Sequence, residues 1–475
     1  MGGSQAADEQ GAAMQQQLTA LLAREIADFR ELRSCTQLTA GASQETYRVV
    51  YACDEGEQQL ALRRTQPTVE TDEGTVGISL ALEARLLQLA RQNDIPVPGV
   101  NYVLTDNDGL GQGYLMQWLD GETLGQRIVR AEELAEVRPR LARQCGQELA
   151  KIHSIDWQTS GLEQELPVVD PAGLVEETWA IYRELDIPQP MIDFSGRWLQ
   201  ENLPDQSRQC LVHGDFRNGN LMISDQGIKA VLDWELAHIG DPARDIGWLC
   251  VNSWRFGNRA KVVGGFGDLE ELLAGYRESG GIDISVEEVR FWEVFGSFWW
   301  AVTTLMMAHS WRTGETPSLE RPVIGRRTSE AQMDCVNLLI PGDFELPSQQ
   351  ADLSMGTQLP MPAELLEGVR VFLKETAASQ LDPHNGFLAR VGANSLGIAQ
   401  REFQLGPQLA RAEHQRLVQL LGQEAELDSL RREFSRSLRT GMALDTPGLT
   451  EHLRNTVAGQ LAIDQPRYSA LSRLA

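Results

Sequence analysis

The sequence is poor in the residues from which several common kinds of site are built. Only six of its 475 residues are cysteine, and no two of them form a Cys-x-x-Cys pair. This pattern fits neither a disulfide framework nor a zinc site and favours a reducing, cytoplasmic location. Residues 1–13 lack the basic and then apolar pattern of a signal peptide, and we predict that they are disordered.

Long apolar runs are also scarce. The most apolar stretch, residues 291–308, barely reaches the length that crosses a membrane, and it contains Glu293. We therefore predict a buried helix there and no membrane span.

Positive charge is in deficit. The chain has 42 Lys and Arg residues against 67 Asp and Glu residues, which gives a formal net charge of −25. A surplus of this sign argues against nucleic acid as a partner. A negative net charge helps to keep a protein in solution. Acidic residues that lined a cleft would suit a cationic ligand, but the net charge alone does not show where on the surface the negative potential lies.

Two short apolar runs meet at a turn near the middle of the chain. Residues 221–223 (Leu-Met-Ile) and 230–232 (Ala-Val-Leu) flank Asp225-Gln226-Gly227. Apolar runs that meet at an Asp/Gly turn predict a β-hairpin.

Polar residues stand at fixed offsets around this hairpin. Phosphoryl transfer needs one carboxylate near the acceptor hydroxyl, with an amide oxygen and a second carboxylate to hold Mg²⁺ against the nucleotide phosphates. Asp215 and Asn220 have the D-x-x-x-x-N spacing of a kinase catalytic loop, and Asp233 follows where a kinase has its metal-binding Asp. We predict Asp215 as the catalytic residue and Asn220 with Asp233 as Mg²⁺ ligands.

Three segments in this order resemble one known family. HGDFRNGN at residues 213–220, LDWE at 232–235 and GDPARD at 240–245 are similar to the aminoglycoside phosphotransferase/choline kinase family. The branch they resemble most is the kinase-like domains that occur alone in bacteria or fused to acyl-CoA dehydrogenases. By the order of the motifs, the resemblance covers roughly residues 30–340.

The resemblance implies an α+β, bilobal protein-kinase-like fold with a small β-rich lobe and a large α-helical lobe. It also implies ATP- and Mg²⁺-dependent phosphorylation of a hydroxyl group on a small molecule. Supporting roles fall to His213, Arg217, Glu235 and Asp241, and His213 is expected to brace the loop rather than act as the base. Asp241 and Asp245 are expected in a loop and at a helix cap.

A strand, a tight turn and a second strand are predicted over residues 37–51. Backbone N–H groups of a turn made of small residues can approach phosphate oxygens closely. By resemblance to the Gly-x-Ser-x-x-Thr-Tyr pattern of the family, Gly41, Ser43 and Thr46 are expected near the phosphates of the nucleotide.

The next strand, residues 59–64, and the helix predicted over residues 80–92 complete the phosphate site. Kinases place a Lys on this strand and hold it with a Glu of the helix. Here the strand carries Arg63, as is usual in the acyl-CoA-dehydrogenase-associated branch, and guanidinium binds phosphate bidentately. Glu83 is its expected partner, whereas Arg64 is expected to be exposed and unpaired.

Residues 113–121 match the hinge between the lobes of a kinase. A strand running into a loop would place Met116 behind the nucleobase. Backbone groups from Gln117 to Leu119 would then hydrogen-bond the edge of the base.

Composition and periodicity divide the chain. The predicted segments are a disordered start (1–13), a small lobe (14–121), a large lobe (122–342), a linker rich in Pro, Gly, Ser and Gln (343–362) and an α-helical domain (363–475). This last domain resembles an uncharacterised helical domain that accompanies kinases of this branch. Its predicted helices are roughly 363–380, 386–404, 407–421, 425–439 and 449–461. Arg390 and Asn394 lie on one helix face and could bind an anionic group, but we expect them to form a buried brace between helices.

The acceptor is open. The branch resemblance favours a hydroxyacyl-CoA or a related hydroxy acid, the acidic kinase lobes allow an aminoglycoside, and choline-like or sugar acceptors remain. A hypothesis of another class is that the chain is an inactive nucleotide-binding scaffold whose helical tail binds a partner. The intact set of Asp215, Asn220 and Asp233 argues against this hypothesis. A homodimer is left open as well.

Overall fold

The structure, a computed structural model, describes residues 2–40, 44–65, 77–204, 208–347 and 361–471, with the side chains of residues 2–10, 39 and 40 left out. The chain divides into two compact units. The first unit comprises Met1–Val169, Arg208–Leu249 and Phe266–Ile284, and the second comprises Asp170–Ser207, Cys250–Gly265 and Ser285–Ala475.

The first unit begins with a helix and an antiparallel sheet. The elements are α1 (Gly2–Glu25), β1 (Glu31–Ala40), β2 (Glu45–Cys53), β3 (Gly56–Arg64), α2 (Leu80–Gln92), β4 (Val100–Val103) and β5 (Gly113–Gln117). The strand order is β1-β2-β3-β5-β4. Leu18 and Leu22 of α1 are fully buried with Val49 and Leu62 of the sheet, so α1 closes one side of its apolar core.

The start of the chain differs from its prediction. Residues 2–13 were expected to be disordered, but they form the first half of α1. The apolar residues that bury α1 come after them, at Met14, Leu18 and Leu22. Packing of this second half supports the helix, which local composition did not reveal.

The rest of the first unit is mainly helical and carries two small sheets. Its elements are α3 (Gly125–Arg130), α4 (Arg138–His153), β6 (Cys210–Val212), β7 (Leu221–Ser224), β8 (Gly227–Val231), β9 (His238–Gly240), α7 (Ala243–Cys250) and α8 (Leu269–Glu278). β7 and β8 pair antiparallel with Ser224 opposite Gly227, which confirms the predicted hairpin. β6 pairs with β9, and the chain between β6 and β7 holds the predicted catalytic loop.

The second unit is helical wherever the structure describes it. Its helices are α5 (Pro171–Glu184), α6 (Pro190–Glu201), α9 (Val286–Arg312), α10 (Glu320–Arg326), α11 (Thr328–Leu339), α12 (Pro362–Val371), a π-helical stretch (Phe372–Ala377), α13 (Ala378–Gln380), α14 (Pro383–Leu421), α15 (Leu427–Thr440) and α16 (Leu449–Asp464). The predicted tail therefore shares a compact unit with α5, α6 and α9–α11.

The apolar stretch predicted as a buried helix is part of α9. A capping box of Ser285 and Glu288 starts this helix, and Phe291, Phe295 and Phe298 are buried along it. Within the described ranges, no helix combines the length and the apolar character needed to cross a bilayer.

Two expectations about the tail are wrong. The helices predicted over 386–404 and 407–421 form one helix, α14, with Pro407 inside it. Proline removes one backbone bond and usually breaks a helix, but Leu405 and Leu409 are packed on either side of it in an apolar cluster with Ile463. Arg390 and Asn394 are both exposed, so they form no buried brace.

Asp334 on α11 is a buried acid of the second unit. Its Oδ1 accepts a hydrogen bond from Asn252 Nδ2 at 2.8 Å and its Oδ2 accepts one from the Tyr468 hydroxyl at 2.7 Å. Burial raises the pKa of Asp334 to about 7, although the Tyr468 and Asn252 hydrogen bonds act in the opposite direction. In the folded protein this carboxyl group therefore stays protonated well above the pH at which an exposed Asp ionises.

We expect Asp334→Asn to remove part of the pH dependence of stability. Because the folded pKa is raised, the protonated acid stabilises the wild type at low pH, and this contribution is lost as pH rises from about 4 to about 7. One pKa unit corresponds to about 1.4 kcal/mol. The free energy of unfolding of the variant, relative to that of the wild type, should therefore rise by roughly 2–4 kcal/mol between pH 4.5 and pH 8. Urea unfolding at both pH values measures this difference, and the exposed Asp225→Asn is the control. A difference that does not grow with pH would contradict the prediction.

Candidate active site

The segment between β6 and β7 forms a tight loop around Asp215. This side chain is buried, and its Oδ2 accepts a hydrogen bond from Asn220 Nδ2 at 2.6 Å. Its Oδ1 accepts one from Arg217 Nε at 3.0 Å. Gly214, just before it, has a φ of +84°, a backbone conformation that glycine adopts without strain. The five-residue spacing thus brings the two predicted site residues, Asp215 and Asn220, into contact.

Asn220 links the loop to the second strand of the hairpin. Its backbone N–H donates to Arg217 O at 2.8 Å, and its carbonyl oxygen accepts from Leu232 N at 2.8 Å. Its amide nitrogen bonds Asp215, and nothing in the described part of the chain bonds its Oδ1. An uncommitted amide oxygen therefore lies beside the segment that leads into Asp233.

Asp233 lies just after β8 in an unusual backbone conformation. Its φ is +64°, in the left-handed region that non-glycine residues rarely adopt. Such strain persists only where the surroundings enforce it, and it often occurs at functional sites. Asp233 Oδ1 lies 2.7 Å from Arg63 Nη2, which connects the hairpin to the five-stranded sheet.

Arg63 on β3 contacts three carboxylates. Its Nε lies 3.2 Å from Glu83 Oε2 on α2, which confirms the predicted pair. Its Nη2 lies 2.7 Å from Asp233 Oδ1 and 3.3 Å from Glu235 Oε2. Ser79 caps α2 and accepts a hydrogen bond from Leu82 N, so Glu83 is held in the first turn of that helix. The cluster carries one positive and up to three negative charges.

The electrostatics of the cluster show an excess of negative charge. Burial raises the pKa of Glu83, and Arg63 partly offsets this. Burial and then the charge of Asp233 raise the pKa of Glu235 to about 7. Burial opposes the charge of Arg63, but Glu83 and Asp233 outweigh it and raise the pKa of the guanidinium. A cation bound beside Asp233 would relieve the surplus.

The donor set fits Mg²⁺. This ion prefers oxygen ligands and is commonly held by one or two carboxylates together with substrate phosphates. Asn220 Oδ1 and the Asp233 carboxylate are ligands of this kind. In the part of the chain that the structure describes, no three His, Cys, Asp or Glu side chains are grouped to hold a metal alone.

His213 is placed as a structural residue. Its Nδ1 accepts from Asp215 N at 3.2 Å, and its Nε2 faces Leu232 O at 3.1 Å and must donate to it. The ring is fully buried, and this burial lowers the pKa of His213. A neutral ring with both nitrogens engaged by the backbone braces the loop, as expected.

Helix α7 supports the same loop. Asp241 Oδ1 accepts from Ala243 N at 2.8 Å and so caps this helix, as predicted. Asp245 accepts from the backbone N–H groups of His213 at 2.8 Å and Gly214 at 2.9 Å. Burial disfavours its charge, but the hydrogen bond from His153 and the neighbouring imidazoles lower the pKa of Asp245 to about 2. Asp245 is therefore a fixed anion that holds the backbone just before Asp215.

The phosphate-loop residues are only partly covered by the structure. Gly41 and Ser43 lie outside the described residues. Thr46 lies on β2 directly opposite Arg63 of β3, so these two predicted phosphate-site residues are neighbours across the sheet.

Arg64 differs from its expectation. It is buried, and its Nη2 lies 3.0 Å from Glu45 Oε2 on the neighbouring strand. Its Nη1 donates to Leu110 O at 3.2 Å. The register places Arg64 opposite Glu45, and this cross-strand pairing makes it a structural residue rather than an exposed edge residue.

The hinge strand is present, with one restriction. Met116 is half-buried on β5, and Gln117 and Leu119 follow it as predicted. The backbone N–H of Gln117 donates to Gly99 O at 2.8 Å, however, and it is not available for a nucleobase.

Two residues near the site were not found from the sequence. Tyr114 is buried on β5, directly opposite Arg63 of β3. Trp248 Nε1 donates to Asp215 Oδ1 at 2.7 Å. The only sequence signal for Trp248 is its position one helical turn after Asp245, and for Tyr114 there is none.

The arrangement resembles that of kinase-like phosphotransferases: a sheet Arg pairs with a helix Glu, a loop carries an Asp and an Asn, and a further Asp ends the following hairpin. The fold of the chain is also similar to that of a solved structure. A Ralstonia eutropha protein assigned as an aminoglycoside phosphotransferase superposes with a TM-score of 0.54 at 21% identity, covering 67% of this chain and 96% of that one.

The chain belongs to the phosphotransferase enzyme family, whose sequence profile matches residues 34–281. A second profile, that of a domain of unknown function, matches residues 379–468, in agreement with the predicted helical tail.

Curated relatives are longer proteins. Mus musculus acyl-CoA dehydrogenase family member 10 is 29% identical over 247 residues, which is 50% of this chain and 22% of that protein. Rattus norvegicus acyl-CoA dehydrogenase family member 11 is 26% identical over 286 residues, which is 57% of this chain and 36% of that protein. The chain thus spans only about a fifth to a third of the length of these relatives.

Proposed function

We propose that the protein transfers the γ-phosphoryl group of ATP, with Mg²⁺, to the hydroxyl group of a hydroxyacyl-CoA or a related hydroxy acid. The observation that carries the proposal is the arrangement of Asp215, Asn220 and Asp233. Asp215 and Asn220 are in direct contact, Asn220 is bonded to the residue before Asp233, and Arg63 reaches Asp233 from the sheet. These are the side chains that phosphoryl transfer requires, and the described hydrogen bonds and ion pairs link the segments that carry them.

Each residue has a proposed task. Asp215 orients the acceptor hydroxyl and accepts its proton as the phosphoryl group transfers. Asn220 Oδ1 and Asp233 would hold Mg²⁺, which would neutralise charge on the phosphates. Arg63 binds the phosphates bidentately and is held for this by Glu83. Thr46, with Gly41 and Ser43, is assigned to the phosphates, and Met116 and Leu119 to the nucleobase.

The proposed class of acceptor is based on the sequence similarity to the two relatives. The two curated relatives described above are named acyl-CoA dehydrogenases, which supports an acyl thioester or a free hydroxy acid as acceptor. Phosphorylation of the hydroxyl would convert it into a leaving group.

A transfer screen tests the proposal. Purified protein with Mg²⁺ and γ-labelled ATP is offered 4-hydroxyacyl-CoAs, free hydroxy acids, aminoglycosides and choline, one at a time. We expect label on a hydroxyacyl compound. Label on an aminoglycoside or on choline alone would contradict the acceptor class but leave phosphoryl transfer in place. ATP binding without transfer to any acceptor would favour the scaffold hypothesis.

A substitution at Asp233 tests the predicted metal ligand. Asp233→Asn should lower transfer at least about a hundredfold, because the charge that holds the cation would be lost. The matched control is Asp225→Asn, which changes an exposed carboxylate in the turn of the same hairpin. Initial rates measured over a Mg²⁺ titration should show a higher Mg²⁺ requirement for Asp233→Asn. Equal rates for the two variants would contradict the metal assignment.

A further inference from the structure

One face of α7 contacts the catalytic loop at two points. Asp245 binds the backbone N–H groups of His213 and Gly214, immediately before Asp215. Trp248 lies three residues further along and so on the same side of the helix. Its indole N–H donates to Asp215 Oδ1 at 2.7 Å. The helix therefore fixes both the backbone that leads into Asp215 and the carboxylate itself.

The two oxygens of Asp215 are not equivalent. Oδ1 accepts from Trp248 Nε1 at 2.7 Å and from Arg217 Nε at 3.0 Å, whereas Oδ2 accepts from the Asn220 side chain at 2.6 Å. A carboxylate has about four acceptor positions, two on each oxygen. Two donors fill those of Oδ1, and one donor leaves a position open on Oδ2.

We propose that Trp248 is a positioning residue that selects Oδ2 of Asp215 as the oxygen facing the acceptor hydroxyl. This inference rests on the proposed function of Asp215. Trp248 and Arg217 together occupy Oδ1 and hold the carboxylate in one rotamer. An indole N–H can only donate, so Trp248 cannot compete with the carboxylate for the proton of the hydroxyl.

The burial of the pair supports this role. Trp248 is 6% exposed and Asp215 is 9% exposed, so water competes little for their hydrogen bond. A bond from a neutral donor to an ionised acceptor is also stronger than one between neutral groups. Rotation of the carboxylate away from Trp248 would leave a buried N–H without its partner.

The chain offers a matched control. Trp179 Nε1 donates to Asp193 Oδ1 at 3.1 Å, and both residues are buried in the second unit. This pair is also an indole–carboxylate hydrogen bond, but its residues lie outside the candidate site. Loss of the Trp179 bond reports what a structural bond of this kind contributes.

The first test removes the N–H and keeps the shape. Trp248 is replaced by 3-benzothienylalanine, in which sulfur stands where the indole has N–H, and Trp179 is replaced in the same way in a second protein. We expect kcat to fall about 10- to 100-fold at position 248, with the KM for ATP and the thermal midpoint close to those of the wild type. The assay uses the acceptor found by the screen and, independently, slow hydrolysis of γ-labelled ATP by water. The protein changed at position 179 should keep its kcat.

The second test needs no turnover. In protein labelled with ¹⁵N at the indole nitrogens, the Trp248 N–H resonance is identified by its loss in Trp248→Phe. A bond to a carboxylate shifts this proton downfield, and Asp215→Ala should move it upfield and speed its exchange with water.

The outcomes separate the two proposals. An unshifted resonance in Asp215→Ala, or an unchanged kcat in the Trp248 isostere, would overturn the positioning role while the proposed function stands. Turnover that survives Asp215→Ala would instead overturn the role that the proposed function gives to Asp215. The resonance would then report the bond alone, without a catalytic meaning.

Discussion

Asp215→Ala is expected to lower the rate of phosphoryl transfer by about 10²- to 10⁴-fold, the range of a general base. In the structure this carboxylate receives hydrogen bonds from Arg217, Asn220 and Trp248. None of these donors can accept a proton from a hydroxyl group, and fully buried His213 has both ring nitrogens engaged by the backbone. No other base of the described loop can therefore replace Asp215.

The same variant should bind nucleotide almost normally. Arg63 and its carboxylate partners, which are assigned to the phosphates and the metal, do not bond Asp215 in the described structure. We therefore expect the dissociation constant for Mg·ATP, measured by calorimetry, to change by less than about threefold, well under 1 kcal/mol. Asp225→Ala, in the exposed turn of the neighbouring hairpin, is the matched control and should keep full activity.

Two results would contradict this assignment. If Asp215→Ala keeps its turnover in an assay in which Asp233→Asn loses it, another group accepts the proton. If both variants keep binding ATP and the wild type transfers to no acceptor, the chain is a nucleotide-binding scaffold. Thermal unfolding of each variant shows whether a loss of activity is only a loss of folded protein.

What the sequence predicted well is local. The hairpin follows from two apolar runs and a turn, and the contact between Asp215 and Asn220 follows from a spacing of five residues within one loop. The pairing of Arg63 with Glu83 was predicted because the resemblance places a strand and the following helix side by side. In each case the prediction depended on residues that are close together in the sequence or on motifs that follow one another in a known order.

What the sequence did not predict depends on packing between distant segments. Trp248 bonds a carboxylate 33 residues earlier, and no spacing rule links the two positions. Arg64 is buried because the strand register sets it opposite Glu45. α14 continues through Pro407 because an apolar cluster holds the helix on both sides of the proline. Tertiary contacts override the local preference in each case.

The second large effect is expected at Arg63. Arg63→Met should lower the free energy of unfolding by about 3–5 kcal/mol, because it leaves buried carboxylates without their partner. Glu83 is only 1% exposed, and it would lie beside Asp233 and Glu235 with no cation between them. The exposed pair of Arg33 and Glu31 provides the control, since Arg33→Met should cost no more than about 1 kcal/mol.

A double variant shows whether charge is the cause. Glu83→Gln alone leaves Arg63 with Asp233 and Glu235 as partners, so its cost should be the smaller one. If the loss in Arg63→Met comes from unpaired negative charge, then adding Glu83→Gln should restore part of the stability, and the two effects should be coupled by about 1–3 kcal/mol. Strictly additive losses would mean that Arg63 acts through packing alone.

Arg63→Lys separates stability from nucleotide binding. A lysine keeps the positive charge, so Arg63→Lys should retain most of the stability that Arg63→Met loses. Its single ammonium group cannot reproduce the planar fork that meets Glu83 with Nε and Asp233 with Nη2, so it cannot hold both carboxylates and a phosphate in the same way. We therefore expect the KM for ATP to rise about tenfold, with little change in the urea midpoint. If instead ATP binding is unchanged and only stability falls, Arg63 is a structural counter-ion for Glu83 and Asp233, and the phosphates are held by the loop at Gly41, Ser43 and Thr46.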